Sequence, residues 1–153
     1  MKTRITALLA CMALSAPLAA QQFDTISFGV DGGYPPFDVL APSGEITGFD
    51  IDIANALCTQ LKAKCVFVKQ PFESMIAALN AHKFDAIIAS LNITDERKKE
   101  VDFTDRYYRS AAQLVARKGS PLLPEAASLK GKTVGVQTGS THEAFARANW
   151  ANH

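Results

Sequence analysis

Apolar and polar positions along this chain switch between a strand period and a helix period, and the switches mark out its elements. Residues 25–30 form a short β-rich run that ends at Asp31-Gly32-Gly33-Tyr34-Pro35-Pro36, a loop signal, and Pro42-Ser43-Gly44 is a second turn. After Gly48, Phe49, Ile53, Leu57 and Leu61 recur at helical spacing, which predicts a helix over 49–62 with Asp50 and Asp52 near its positive end. The pattern then predicts a strand over 65–69, a helix over 72–81 behind Pro71, and a third strand over 84–89. Thr94 stands as an N-cap ahead of a short helical segment, 95–100. Residues 101–108 read as irregular or extended, 111–117 as a further strand, and 118–127 as a linker. A turn over 128–132 leads into a strand at 133–136, and 137–141 into a helix from about His142 to Trp150. Strands alternating with helices imply an α/β fold with a parallel sheet, whose ligands gather at the carboxyl ends of the strands. Asp31, Phe72 and Ser90 all fall at such ends, and the restart of the pattern after residue 110 implies a second α/β lobe.

The N-terminus changes the picture of where the chain works. Lys2 and Arg4 precede an Ala-rich apolar run that closes on Leu18-Ala19-Ala20, the layout of a secretory signal peptide over residues 1–20. A lipid-attachment reading at Cys11 would leave a very short apolar core and is set aside. Loss of the leader leaves Cys58 and Cys65, near a helix end and a strand start. In an oxidising compartment a disulfide is favoured over two buried thiols. The net charge moves from +1 to −1 as Lys2 and Arg4 leave. No basic stripe with interleaved aromatics is present, so nothing points to nucleic acid.

The polar elbow after the third strand carries the strongest chemical signal. Arg97 in the first turn of a helix opposes the helix dipole, which is easier to understand if an anion sits beside it, and Ser90 and Thr94 can offer hydroxyls to the same guest. An ion-paired surface helix is the bland alternative, and it suffices for Lys98 and Lys99. Ser140 with Glu143 fits a capping box, and the Gly139-Ser140-Thr141 helix start is a second, weaker anion contact. Tyr34 and Phe72 are loop aromatics able to sandwich a ligand side chain, or else to cover the core edge. Asp31 can meet a cation or merely cap its turn. No catalytic set, cofactor motif or metal spacing emerges, since His82 and His142 lack ligand spacing.

Three stretches, GFDIDIANAL (48–57), DAIIASLNITDERKKEVDFTDRYY (85–108) and LKGKTVGVQTGSTHEA (129–144), resemble the periplasmic solute-binding proteins for polar amino acids that serve ABC importers. The lysine/arginine/ornithine and histidine binders look nearest, and the Cys58/Cys65 spacing resembles a disulfide of that subgroup. The resemblance implies a non-enzymatic, periplasmic, monomeric binding component with two α/β lobes, an amino-acid ligand and an inner-membrane permease as partner. By motif, Arg97 would clamp the ligand carboxylate with Ser90 and Thr141, beside Ser140. Tyr34 and Phe72 would hold the side chain and Asp31 would face its positive end. Ala89, Asn92 and His142 stand at ligand positions where relatives often carry serine, serine and glutamine, which bears on which amino acid is taken. The divisions are a first lobe over 21–109 and a hinge with a partial second lobe over 110–153. Family chains run longer, so the chain reads as truncated, with its first lobe nearly complete and its second only begun, and weak ligand affinity is expected of it. Other readings are a prephenate/arogenate dehydratase-like enzyme, using Asp31 or His142 as acid or base, and a sensor domain of a receptor or lytic enzyme.

Overall fold

A computed structural model describes residues 23–151; the signal peptide assigned to residues 1–20 lies outside the described residues. Strand β1 (Thr25–Val30) runs parallel to β5 (Lys64–Lys69) over its whole length and to β6 (Ala86–Ile87) at Phe28 and Gly29, giving the sheet order β5-β1-β6. Helix α1 (Phe49–Leu61) makes the first crossover, and a 3₁₀ turn (Phe72–Ser74) running into α2 (Met75–Asn80) makes the second. Alternation along β1 sends successive side chains to opposite faces, so one strand serves two cores. Phe28 and Val30 pack with Ile51, Ala54, Cys58 and Ile88 under α1. Met75, Ala78, Phe84 and Ala89 form the second cluster under α2. Gly29 faces the second cluster, where a Cβ would stand 2.5 Å from the Phe84 ring; the ring takes the space that a side chain would need.

Between β1 and α1 the chain forms a small antiparallel sheet where the sequence reads as loop and turn: β2 (Gly33–Tyr34), β3 (Asp38–Leu40) and β4 (Ile46–Thr47). Two-residue strands carry too little periodicity to be read from a sequence. Gly48 closes this sheet onto α1. Its φ is 129°, and a Cβ there would lie 2.4 Å from the Phe37 carbonyl oxygen, so only glycine fits without movement.

The α1 stripe differs from the one the spacing suggests. Phe49, Leu57 and Leu61 are exposed, and the buried face is Asp50, Ile51, Ala54 and Cys58. Small side chains at 54 and 58 let the helix approach the sheet, while Phe49, Leu57 and Leu61 turn outward. The Cys58–Cys65 disulfide is present, with Cα atoms 5.8 Å apart, joining the end of α1 to β5 across a turn in which Lys62 adopts a left-handed φ of 55°. The strand expected at 84–89 shortens to Ala86–Ile87 because it is β6 that pairs with only two residues of β1.

Beyond residue 100 the expected strands at 111–117 and 133–136 are absent, since neither finds a ladder partner among the described residues. A one-turn helix, α3 (Ala126–Leu129), stands at the end of the expected linker, and α4 (Thr141–Trp150) forms as the pattern predicts. No described helix is long and apolar enough to cross a membrane.

Candidate functional site

The carboxyl end of β1 opens into a loop that a buried carboxylate holds in shape. Asp38 is 1% exposed, and it accepts hydrogen bonds from the amides of Asp31 (3.0 Å), Gly32 (3.2 Å) and Tyr34 (3.1 Å). The turn is therefore capped by Asp38, and the Asp31 side chain is left free for the cleft. Burial, reinforced by the charge of Asp38, raises the Asp31 carboxyl above its ordinary value. Among the described residues Asp31 has no ion pair; its neighbour is Gln137, whose Nε2 donates to Oδ2 at 3.2 Å.

The second wall is the elbow after β6. Ala89 is buried and Ser90 turns the chain with a left-handed φ of 51°. Ser90 Oγ donates to Asp50 Oδ2 at 2.9 Å, and Tyr107 donates its hydroxyl to Asp50 Oδ1 at 3.1 Å. The Ser90 proton is thus committed, and the hydroxyl is not available as a donor to an anionic guest, contrary to the sequence reading. Thr94 Oγ1 accepts from the Arg97 amide at 3.2 Å, but the helix expected over 95–100 is only the 3₁₀ turn Arg97–Lys99, whose cap position is Glu96 rather than Thr94. So short a turn has little dipole, and the dipole argument for an anion at Arg97 falls away.

Arg97 itself is half-buried and lies 5.7 Å from the Phe72 ring centroid. Its Nη1 donates to the Asn92 carbonyl at 2.7 Å and its Nη2 to the Gly139 carbonyl at 2.9 Å. Two of five N–H groups are so used, and burial lowers the pKa of the guanidinium. Arg97 thereby ties the elbow to the start of α4. Thr141 Oγ1 to Asn92 Oδ1 at 3.4 Å makes the same crossing, and Gln137 to Asp31 ties the loop after β1 to the segment before α4.

The third wall is the α4 start. Ser140 is buried and caps the helix by accepting from the Glu143 amide at 3.1 Å, and Glu143 reaches back to the Gly139 amide at 2.7 Å, so the capping box forms one residue out of its usual register. Between the walls lies a cleft of about 460 Å³. Asp31, Tyr34, Phe72, Ala89, Ser90, Asn92, Ser140, Thr141 and His142 line it; Arg97 stands behind the elbow and does not. Tyr34 stacks on Phe37 at 5.2 Å and Phe37 on Tyr108 at 4.8 Å, so Tyr34 is the end of an aromatic stack that has one face to offer.

Sequence reasoning passed over Gln137, Asp50, Tyr107 and Tyr108. Gln137, Tyr107 and Tyr108 line the cleft, and Asp50 anchors it from below. Asp50 was noted in the sequence only as an acidic residue near the positive end of α1, and its burial was not legible there. No group of three metal-binding side chains occurs among the described residues.

Comparison with known proteins agrees with this architecture. The chain is 44% identical over 147 residues to the L-arginine-binding protein of Pseudomonas aeruginosa, covering 96% of this chain and 56% of that protein. It is 43% identical over 152 residues to the lysine/arginine/ornithine-binding periplasmic protein of Escherichia coli, covering 98% and 58% respectively. An ancestral arginine-binding protein solved with arginine superimposes with a TM-score of 0.78 at 39% identity, over 83% of this chain and 56% of that one. The chain thus spans little more than half the length of these relatives. Residues 26–150 match the model of one family throughout, and the chain belongs to the bacterial extracellular solute-binding proteins, family 3.

Proposed function

We propose that this chain supplies the recognition surface of an extracytoplasmic solute-binding component of an ABC amino-acid importer, taking a polar, cationic amino acid and handing it to an inner-membrane permease. The observation that carries the reading is Asp31. Its carboxylate faces the cleft, partly desolvated and without a cation, a few residues from an aromatic face at Tyr34. A guest with a flat or aliphatic stem and a positive end satisfies both. Arg97, behind the wall, supports the other end by holding the Asn92 elbow against the α4 start, where Thr141 meets the guest carboxylate. Export to the periplasm, action as a monomer, and the division into lobes over 21–109 and 110–153 complete the proposal. The names of the relatives, all binders of arginine or its kin, favour the same ligand class.

Titration with arginine, lysine, glutamine and glutamate, followed by amide NMR shifts, tests this even at millimolar affinity. Arginine or lysine is expected to move the resonances of residues 31–34, 89–92 and 139–142, and Asp31→Asn to weaken them by about tenfold or more while leaving glutamine within about threefold. Equal losses for cationic and neutral solutes would remove the cationic assignment. Absence of any shift at those residues would remove the site.

A further inference from the structure

The loop that carries Asp31 is held from beneath by a side chain that does not line the cleft. Asp38 lies on β3, opposite Tyr34 in the β2–β3 ladder, and is wholly buried. Its Oδ2 accepts from the amides of Asp31 and Gly32, and its Oδ1 accepts from that of Tyr34, so both oxygens are spent inside the loop. An aspartate placed as Asp31 is, at a strand end before two glycines, ordinarily folds back and accepts from amides two or three positions on. Here the amide two on belongs to Gly33, which pairs with Val39 in the ladder, and the amide three on belongs to Tyr34, which Asp38 holds. The Asp31 carboxylate takes the Gln137 side chain instead. The other arrangement is close at hand, since a Cβ on Gly33 would lie 3.2 Å from Asp31 Oδ2.

We propose that Asp38 is a positioning residue for solute selection: by occupying the loop amides it keeps the Asp31 carboxylate turned to the cleft, and so sets the preference for cationic over neutral side chains. This selectivity rests on the cationic amino-acid reading above; the hydrogen bonds of Asp38 do not. The bond to the Tyr34 amide also seats that residue, whose ring stacks on Phe37, so Asp38 fixes the acidic and the aromatic contact together. The two contacts separate by chemistry. An aromatic face grips the stem of a charged or a neutral solute alike, whereas a carboxylate distinguishes them. The preference between two solutes of one shape therefore reports Asp31. Asp38 has a second route to the same preference, because its charge, after burial, raises the Asp31 carboxyl, and such a charge favours cations directly. That route does not need the Asp31 side chain, whereas positioning does.

The test compares arginine with citrulline, its neutral isostere, by NMR titration of the full chain. The unaltered chain is expected to favour arginine by about tenfold or more. Asp38→Asn keeps the size but turns an N–H donor toward the loop amides, which frees at least one of them for Asp31, and the preference should fall below about threefold. In an Asp31→Asn background the same change should alter the ratio by less than about twofold, since the carboxylate it positions is already gone. A direct charge effect predicts a further fall in that background. A merely structural role predicts that Asp38→Asn weakens both solutes equally and leaves the ratio intact; either result overturns the proposal. Where Asp38→Asn does not fold, Asp38→Ser, a shorter side chain with a single acceptor oxygen, must lower the ratio in the same way. Without ligand, the amides of Asp31, Gly32 and Tyr34 in the unaltered chain should exchange as slowly as those of β1, and rapid exchange overturns the proposal. Slow exchange with no preference for arginine in the unaltered chain overturns the cationic reading and the selectivity drawn from it, leaving the Asp38 hydrogen bonds established.

Discussion

The stretch up to residue 100 and the stretch after 110 carry similar sequence signals and reach different ends. In the first, apolar runs become paired strands and two helices cover both faces of β1, so Val30 and Met75 are wholly removed from solvent. In the second, runs of the same composition stay unpaired, and Val115 is 87% exposed, with Leu123, Val136 and Phe145 also open to solvent. Leu129 and Ser140 are the buried residues there. A strand is stable only through its neighbours, whereas a helix closes its own hydrogen bonds, which is why α4 stands and the strands at 111–117 and 133–136 do not.

The contrast can be tested by equal truncations in the two regions. Met75→Ala should cost about 2–5 kcal/mol in denaturant unfolding, whereas Val115→Ala should stay within about 0.5 kcal/mol. A large loss at Val115 would mean that the second region packs in solution against something that covers it. Replacing Cys58 and Cys65 together by alanine is expected to lower stability by about 2–3 kcal/mol, read from the urea midpoint. Ser140→Ala removes the α4 cap and should cost about 1 kcal/mol; if the regions are separate, amide exchange will speed in α4 and leave β1 unchanged.

The smallest effect is the dependence on pH. Hydrogen bonds from the Ser27 hydroxyl and amide lower the Asp85 carboxyl below its ordinary value. Its folded form binds a proton less readily than its unfolded form, so the stability it adds is present above about pH 4 and is lost as pH falls through the folded value. Asp50 and Asp31 run the other way. Burial raises both, so their contribution is present below the unfolded value and is lost as pH rises through the folded one. Asp85→Asn should flatten the acid side of the stability curve, and Asp50→Asn should lift its neutral side relative to the acid side.

How far the site was legible follows from the range of the interactions. Ser140 and Glu143 are three residues apart, and their capping box could be read because both partners lie within one turn. Arg97 was picked out for a local reason that fails, the dipole of a helix that is only a 3₁₀ turn, yet it stands at the junction of the elbow and α4 through a carbonyl 42 positions away. Asp31 was found by its place at a strand end, while its partner Gln137, 106 positions on, was not. Asp38 and Asp50 were passed over because a buried carboxylate looks, in a string of letters, like an exposed one.

The amino-acid order alone determined what local forces can decide: β1, α1, β5 and α4, the parallel alternation, the cysteine pair, and the strand ends where a cleft would form. Tertiary structure decided which face of α1 is buried, which strands find ladders, and which way the protons of Ser90 and Tyr107 point. The reason is one of distance. Helical hydrogen bonds close within four residues and imprint a period on the sequence, whereas strand pairing and the satisfaction of a buried charge join residues tens of positions apart and leave no period to read.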